Sequence, residues 1–354
     1  MATADTQTAS LRSPRTAGDR ATFLWRGSAP AQLIGDFNNW GIEEAPLDLE
    51  PLGGDLWART LQLPPDAYIE YAYLHGGARV PDPLNPQRTG DGMGHTNSYL
   101  WMPDARDTPL ARRRPGVPRG TVTRHEVAGQ GYVVGASRTV YLYEPPGAGP
   151  HPLLAVFDGR GYLRRAHLAT IVDNLAAQQR IRPPAMALIQ PGGRGRTVEY
   201  ACSDTTVAFI IRCVLPVARA HLNLLDVAQA PGAYGIMGAS MGGLMAFYTA
   251  FRAPEIFGSV LCESGAFGAD QLYYRSVLED LIRCGPVLPL KIWMDVGLHE
   301  WFLAPNRRMQ ALLRERGYDV HYTEQTSGHN YPSWRNVLWQ GLEYLYGQGG
   351  QDRK

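Results

Sequence analysis

The residues of this 354-residue chain that could do chemistry gather around one short run. Gly238-Ala239-Ser240-Met241-Gly242 is a GxSxG pattern. It describes a serine on a sharp turn that only small neighbours allow, its hydroxyl raised above the carboxyl end of a strand. In a glycine-rich chain the pattern alone is weak, and context makes it specific. YGIM before it has strand character and LMAFYTAF after it has helix character, the strand–turn–helix that such a nucleophile requires. Ser240 is the expected nucleophile. A serine hydroxyl needs a base to take its proton, and in hydrolases built this way the chain order is serine, acid, histidine.

Of the nine histidines, His329 in SGHNY directly follows the strand-like DVHYTEQ and precedes the final helix. It is the expected general base. His321 lies within that strand and His299 precedes a candidate acid, so both are less well placed. The acid must hold the imidazole in one tautomer. Glu300 lies past Gly297 on the loop after KIWMDVG, whereas Asp295 lies inside the apolar run; Glu300 is preferred and Asp295 stays as the alternative. His299-Glu300 would open an HExxH zinc site, but the fifth position is Leu303, so that reading fails. An oxyanion needs two backbone N–H donors. Met241, after the nucleophile, supplies one, and the loop after LLAVF supplies the other from Gly159 or Arg160. Arg196 and Glu199, three apart, read as an ion pair. PGGRGRT lacks both GxGxxG spacing and a GK[ST], so no nucleotide site follows.

The elements that must position these residues come in two textures. Residues 21–105 read as a small β-sandwich of short strands. LWARTLQL and YIEYAYLHGGARV alternate with period two, and Gly76-Gly77 marks a hairpin turn. GDFNNW places Trp40 at a turn of this domain, where packing is the plainer reading than a sugar platform. Residues 106–120, containing PLARRRPGVPRG, have the composition of a linker, and the run Arg112-Arg113-Arg114 reads as solvated. Over 121–348 short apolar strands alternate with amphipathic helices, which specifies a mostly parallel α/β sheet covered on both faces. Pro216 is expected to kink the helix over VAFIIRCVLPVARAHL.

Composition narrows the classes. With 34 basic and 33 acidic side chains the net charge is +1, which argues against a general nucleic-acid binder. No apolar run approaches the ~20 residues of a membrane helix. Cys202, Cys213, Cys262 and Cys284 form no CxxC, so a zinc framework of that kind is excluded and buried thiols in a reducing compartment are expected. The first 20 residues lack the apolar core of a secretory signal and read as a disordered tail, so a cytoplasmic location is expected.

These motifs resemble a family. GDFNNW, the YAY pair and DPLNP resemble the small β-domains that precede glycogen-active enzymes and several esterases, and PDPLNPQ followed by GMGHTNSYLWMPDA resembles the end of the N-terminal domain of enterochelin (ferric enterobactin) esterases. LAVFDG, RTVEY, GASMGGLMAFYTAFRAPEIFGSVLCESGAF, VGLHE and SGHNYPSWR resemble their catalytic domain and the wider esterase-D group. The resemblance implies an α/β-hydrolase domain after a small β-sandwich, with Ser240, Glu300 and His329 as the triad. It implies a serine esterase that opens a catecholate trilactone siderophore to release iron, with Arg160, Arg194 and Arg196 as anion contacts and no metal or organic cofactor for catalysis. Partners are then a small-molecule ester, with no nucleic acid or membrane, and a glycan is a further candidate for the N-terminal domain. The sequence departs from the family's usual GGHD, since Asn330 follows His329, and its first domain is shorter. The alternatives are a feruloyl or acetyl esterase of polysaccharides and a non-catalytic glycan-binding scaffold.

Overall fold

Successive residues of a strand point to opposite faces, so a strand that is apolar throughout must be covered on both sides. Leu153–Val156 shows this: Leu153 and Ala155 enter one core and Leu154 and Val156 the other, all four without solvent exposure. A computed structural model describes residues 11–42, 44–91, 94–269, 271–272 and 275–348. It divides into two units. One comprises Met1–Arg106 with Leu298–Trp301 and Thr326–Asn330, and the other the remainder from Asp107 onward.

The larger unit is organised by eight strands: β1 (Thr121–Ala128), β2 (Ser137–Glu144), β3 (Leu153–Val156), β4 (Ala185–Ile189), β5 (Tyr234–Ala239), β6 (Phe257–Glu263), β7 (Lys291–His299) and β8 (Val320–Gly328). Their order is β1-β2-β4-β3-β5-β6-β7-β8. The β1–β2 and β2–β4 pairs are antiparallel, and β4–β3, β3–β5, β5–β6 and β6–β7 are parallel. This is the α/β-hydrolase arrangement. Helices Met241–Arg252, Val277–Cys284 and Leu303–Glu315 cover one face through Leu244, Phe247, Leu278, Ile282, Met309 and Leu313. Helices Leu168–Ala177 and Tyr331–Tyr346 cover the other through Ile171, Leu175, Leu338 and Leu342.

Before Pro216 the chain does not simply bend. Asp204–Phe209 is α-helical, Ile210–Val214 makes a π-turn, and Leu215–His221 resumes the helix with the proline in its first turn. A proline has no N–H and crowds the preceding turn, and one widened turn relieves both. The expected linker is also more ordered than its composition suggests. Pro109–Ala111 forms a short helical turn with Leu110 and Ala111 buried, and Asn174 donates to the Leu110 and Arg112 carbonyls. Arg112, Arg113 and Arg114 are exposed. Cys213 and Cys262 are buried, but Cys202 is half-buried and Cys284 exposed. Among the described residues no single helix is long and apolar enough to cross a membrane.

In the smaller unit, Arg15–Ala17, Arg20–Arg26, Leu56–Gln62 and Glu50–Gly53 form one antiparallel sheet. The other is centred on Tyr68–His75, flanked by Gln32–Gly35 and Thr96–Trp101. Phe23 and Trp25 of the first sheet meet Tyr71, Tyr73 and Leu33 of the second in one core. The Gly76-Gly77 turn has both residues at positive φ, and Tyr68–His75 pairs back with Ala78–Val80. Two expectations need correction. The tail over 1–20 ends early: Ser13 is buried, its hydroxyl accepts the Leu24 N–H, and Arg15–Ala17 is a strand, while residues 1–10 lie outside the described residues. Tyr68–His75 is not half-buried either, because Tyr68 to Tyr73 are buried on both faces. The segment Thr326–Asn330 accounts for part of this cover: Ser327 pairs with Tyr68 and its hydroxyl donates to the Tyr68 carbonyl.

Leu338 is fully buried on the helix that covers the second face. Leu338→Ala should destabilise the protein by about 2–5 kcal/mol, the usual cost of a core leucine deletion, as read from the urea unfolding midpoint.

Candidate active site

Strand β5 ends at Ala239, the helix begins at Met241, and the turn between them is Ser240 at φ 58°, ψ −128°. An L-residue holds such a backbone only where its surroundings over-determine it. Ser240 N–H donates to the Glu263 carbonyl at 2.9 Å, and its own carbonyl accepts from Leu244 and Ala266 at 3.1 and 3.0 Å. A Cβ on Gly238 would lie 2.5 Å from the Gly242 backbone, so the turn closes only because that position has no side chain. A Cβ on Gly242 would lie 3.1 Å from Asp158 Oδ2, which brings the loop after β3 against the start of the serine helix. Ser240 stands where the sequence motif requires it.

Loop 158–160 carries the second set of candidate donors. Asp158 is left-handed (φ 54°), and Gly159 opens a short helix, packed so tightly on Leu188 that a Cβ would meet its backbone at 2.4 Å. Arg160 N–H donates to Gln190 Oε1 at 3.1 Å, so the structure commits that amide elsewhere. Met241 N–H begins the serine helix, where unpaired amides and the helix dipole favour negative charge.

Glu300 and His329 come together in the smaller unit. His329 Nδ1 lies 2.5 Å from Glu300 Oε2; opposite a carboxylate this nitrogen donates, leaving Nε2 as the acceptor of the neutral ring. The Glu300 side chain is fully buried, the His329 ring is 14% exposed, and the Trp301 ring lies 5.1 Å from the imidazole. Asp295, the alternative acid, is engaged otherwise: its carboxylate accepts from Trp293 Nε1 at 3.1 Å and from Gln325 Nε2 at 2.8 Å. His321 stacks on Trp293 with ring centroids 4.2 Å apart. His299 is largely buried, which pushes its pKa down, and its Nε2 has no hydrogen-bond partner among the described residues.

The arginines separate. Arg160 and Arg194 are exposed. Arg196 turns its guanidinium onto Asp158 in a two-point ion pair of 2.8 and 2.7 Å, so its fork is already occupied. The expected Arg196–Glu199 pair is not formed. Glu199 is instead buried against Arg138 and accepts the Val134 N–H, which ties residues 134–138 to the loop before Tyr200. Nothing in the spacing of Arg138 and Glu199, 61 positions apart, signalled that pair.

Sequence reasoning also missed Glu263, beneath the elbow, and its pairing with Asp295. Glu263 and Asp295 are register partners on β6 and β7, so their side chains emerge on the same face. Both are fully buried. Tyr162 donates to Glu263 Oε2 at 2.5 Å, and Oε1 has no partner among the described residues. Burial, then the Asp295 charge, pushes the Glu263 carboxyl well above the usual range. The only signal available beforehand was an acidic residue closing an apolar strand.

With this geometry in place, comparison with known proteins defines the class. Residues 132–345 match the family described as "Putative esterase", and the chain belongs to that family. The protein is an ester hydrolase. The iron(III) enterobactin esterase of Escherichia coli K12 is 27% identical over 283 residues, covering 75% of this chain and 67% of that protein. The crystal structure of the Shigella flexneri enterobactin esterase in the presence of enterobactin is 23% identical, covers 92% of each chain and superposes with a TM-score of 0.74. A ferulic acid esterase of Anaeromyces mucronatus, 16% identical, covers 67% of this chain and 93% of its own, with a TM-score of 0.53. The likeness to enterobactin esterases therefore extends beyond the motifs to three quarters of the chain in sequence and to most of it in fold.

The raised Glu263 pKa has a consequence for stability. The folded state keeps a proton that the unfolded chain releases, so the stabilisation is complete below the ordinary carboxylate range and is lost as pH rises through the folded value. Between about pH 5 and pH 8 the wild-type melting temperature should fall, and Glu263→Gln, which cannot titrate, should flatten that slope. Thermal melts across this range measure it.

Proposed function

We propose that the protein is a serine esterase that hydrolyses the ester bonds of a catecholate trilactone siderophore. The observation that carries the catalytic part is the strained Ser240 at the strand–helix turn of a chain that also pairs His329 with Glu300. In this reading His329 Nε2 takes the proton from Ser240 Oγ as the hydroxyl attacks the ester carbonyl. Glu300 holds the imidazole tautomer and stabilises the imidazolium that forms. Met241 and Gly159 N–H groups receive the oxyanion. The imidazolium then gives its proton to the departing alkoxide, releasing one seryl alcohol of the opened lactone. Water, deprotonated by the same histidine, attacks the acyl-enzyme and returns Ser240.

The substrate class rests on the relatives. Coverage by the enterobactin esterases of nearly the whole chain, N-terminal unit included, favours them over the ferulic acid esterase, which spans about two thirds of it. Arg160 and Arg194, both exposed, are the proposed contacts for an anionic catecholate. Iron enters as the cargo of the substrate.

The test offers purified protein a tri-catecholate trilactone, with and without iron, beside a feruloylated xylo-oligosaccharide, with products read by mass spectrometry. Opening of the trilactone to linear products is expected, with the glycan ester untouched. Ser240→Ala should lower turnover at least about 10⁴-fold, and Glu300→Gln by about 10²- to 10⁴-fold. Feruloyl release alone would replace the siderophore with a polysaccharide ester. Trilactone opening that survives Ser240→Ala would remove the serine mechanism.

A further inference from the structure

GDFNNW does something in the fold that its reading as a packed turn leaves out. Asp36 is 3% exposed, and its carboxyl collects three donors from separate parts of the chain. Oδ2 accepts the Glu70 N–H at 2.8 Å and Asn330 Nδ2 at 3.4 Å, and Oδ1 accepts Trp40 Nε1 at 3.1 Å. On the other side of His329, a Cβ added to Gly328 would lie 2.1 Å from Asp36 Cγ. The residues immediately before and after His329 therefore both rest on one carboxyl.

That carboxyl is itself held at some cost. Asn39 and Trp40 are both left-handed (φ 48° and 60°), a conformation that is a true outlier for a bulky residue. The tryptophan is retained by its bond to Asp36 and by the Arg79 guanidinium 3.9 Å from its ring. Ser327, one step before Gly328, is fixed to Tyr68 through both backbone pairing and its hydroxyl. Burial raises the Asp36 carboxyl, as do the charges of Glu70 and Glu300, so placing an acid here is unfavourable on electrostatic grounds. Packing alone would be served by a neutral side chain.

We propose that Asp36 is a positioning residue for the reaction. It clamps the Gly328–Asn330 segment so that His329 keeps its hydrogen bond to Glu300, which makes the N-terminal β-unit a part of the catalytic machinery. The Asn330 that departs from the family's GGHD supplies the donor side of this clamp. The proposal rests on the reading of His329 as general base.

The test uses the full-length protein, a small activated ester and two readouts. One is kcat and KM. The other is the downfield proton resonance of the His329–Glu300 hydrogen bond, assigned by its loss in His329→Ala. Asp36→Asn should lower kcat about 10- to 100-fold, the range expected for an angstrom-scale misplacement of a catalytic group, with KM within about 2-fold. The downfield resonance should shift or broaden. Asn330→Asp, which sets a second carboxyl against the first, should do the same, and the double exchange Asp36→Asn/Asn330→Asp should recover part of the loss. Should Asp36→Asn not fold, Asn330→Ala carries the same expectation for kcat and the resonance. Tyr73→Phe, which removes a core hydrogen bond to the Leu24 carbonyl, serves as the control for a purely structural loss. It should lower the melting temperature with kcat and the resonance unchanged.

Wild-type kcat and an unchanged resonance in Asp36→Asn would overturn the proposal. So would a double exchange no better than the poorer single variant. If Ser240→Ala hydrolyses the ester as fast as wild type, the serine-esterase reading fails, and the resonance alone then decides whether Asp36 positions His329.

Discussion

Ser240 occupies a backbone conformation that costs of order 1–3 kcal/mol for an L-residue, and much of the larger unit can be understood as what holds it there. Its amide and carbonyl are both bonded, to β6 and to residues further along the chain. Gly238 and Gly242 allow backbone and the Asp158 loop to approach more closely than any side chain would. The buried parallel strands on either side make the turn rigid, since Ala239 pairs with Glu263 and Glu263 with Asp295. Strain at one residue is thus offset by a core that could be built without it.

The buried acidic side chains of each unit differ in how they are accommodated. Glu300 is buried against His329, Asp158 is neutralised by Arg196, and Glu199 by Arg138. Among the described residues no cation is bonded to Glu263 or Asp36, and their carboxyls are pushed up by burial. A carboxyl in such surroundings either keeps a proton or is held by neutral donors. Here a tyrosine hydroxyl serves Glu263, and an indole, an amide and a backbone N–H serve Asp36. Neutral donors fix geometry without cancelling charge.

The grouping of Leu298–Trp301 and Thr326–Asn330 with the N-terminal unit bears on how a two-part esterase is read. Glu300 and His329 directly follow strands that start in the hydrolase sheet, and the residues flanking His329 are bonded to Tyr68 and Asp36 of the β-unit.

Much of the site was legible in the sequence because its constraints are local. GxSxG specifies a turn by the size of adjacent residues, and the same residues appear in it whatever lies around them. Strand–helix alternation, the last-loop position of His329 and the placement of Glu300 beyond Gly297 follow from period and punctuation along the chain. Pairings between distant residues were not legible: Arg138 with Glu199, Asp158 with Arg196, and Asp36 with Asn330. Charge and hydrogen-bonding capacity can be read from composition, but the partner cannot, because it is chosen by which strands and loops the topology brings within about 3 Å. The sequence by itself carried a GxSxG turn, a late histidine and two candidate acids in an α/β region that follows a small β-rich one. Only the tertiary structure paired His329 with Glu300 while giving Asp295 other partners, committed the Arg160 amide and the Arg196 fork elsewhere, and set the histidine loop on the carboxyl of Asp36.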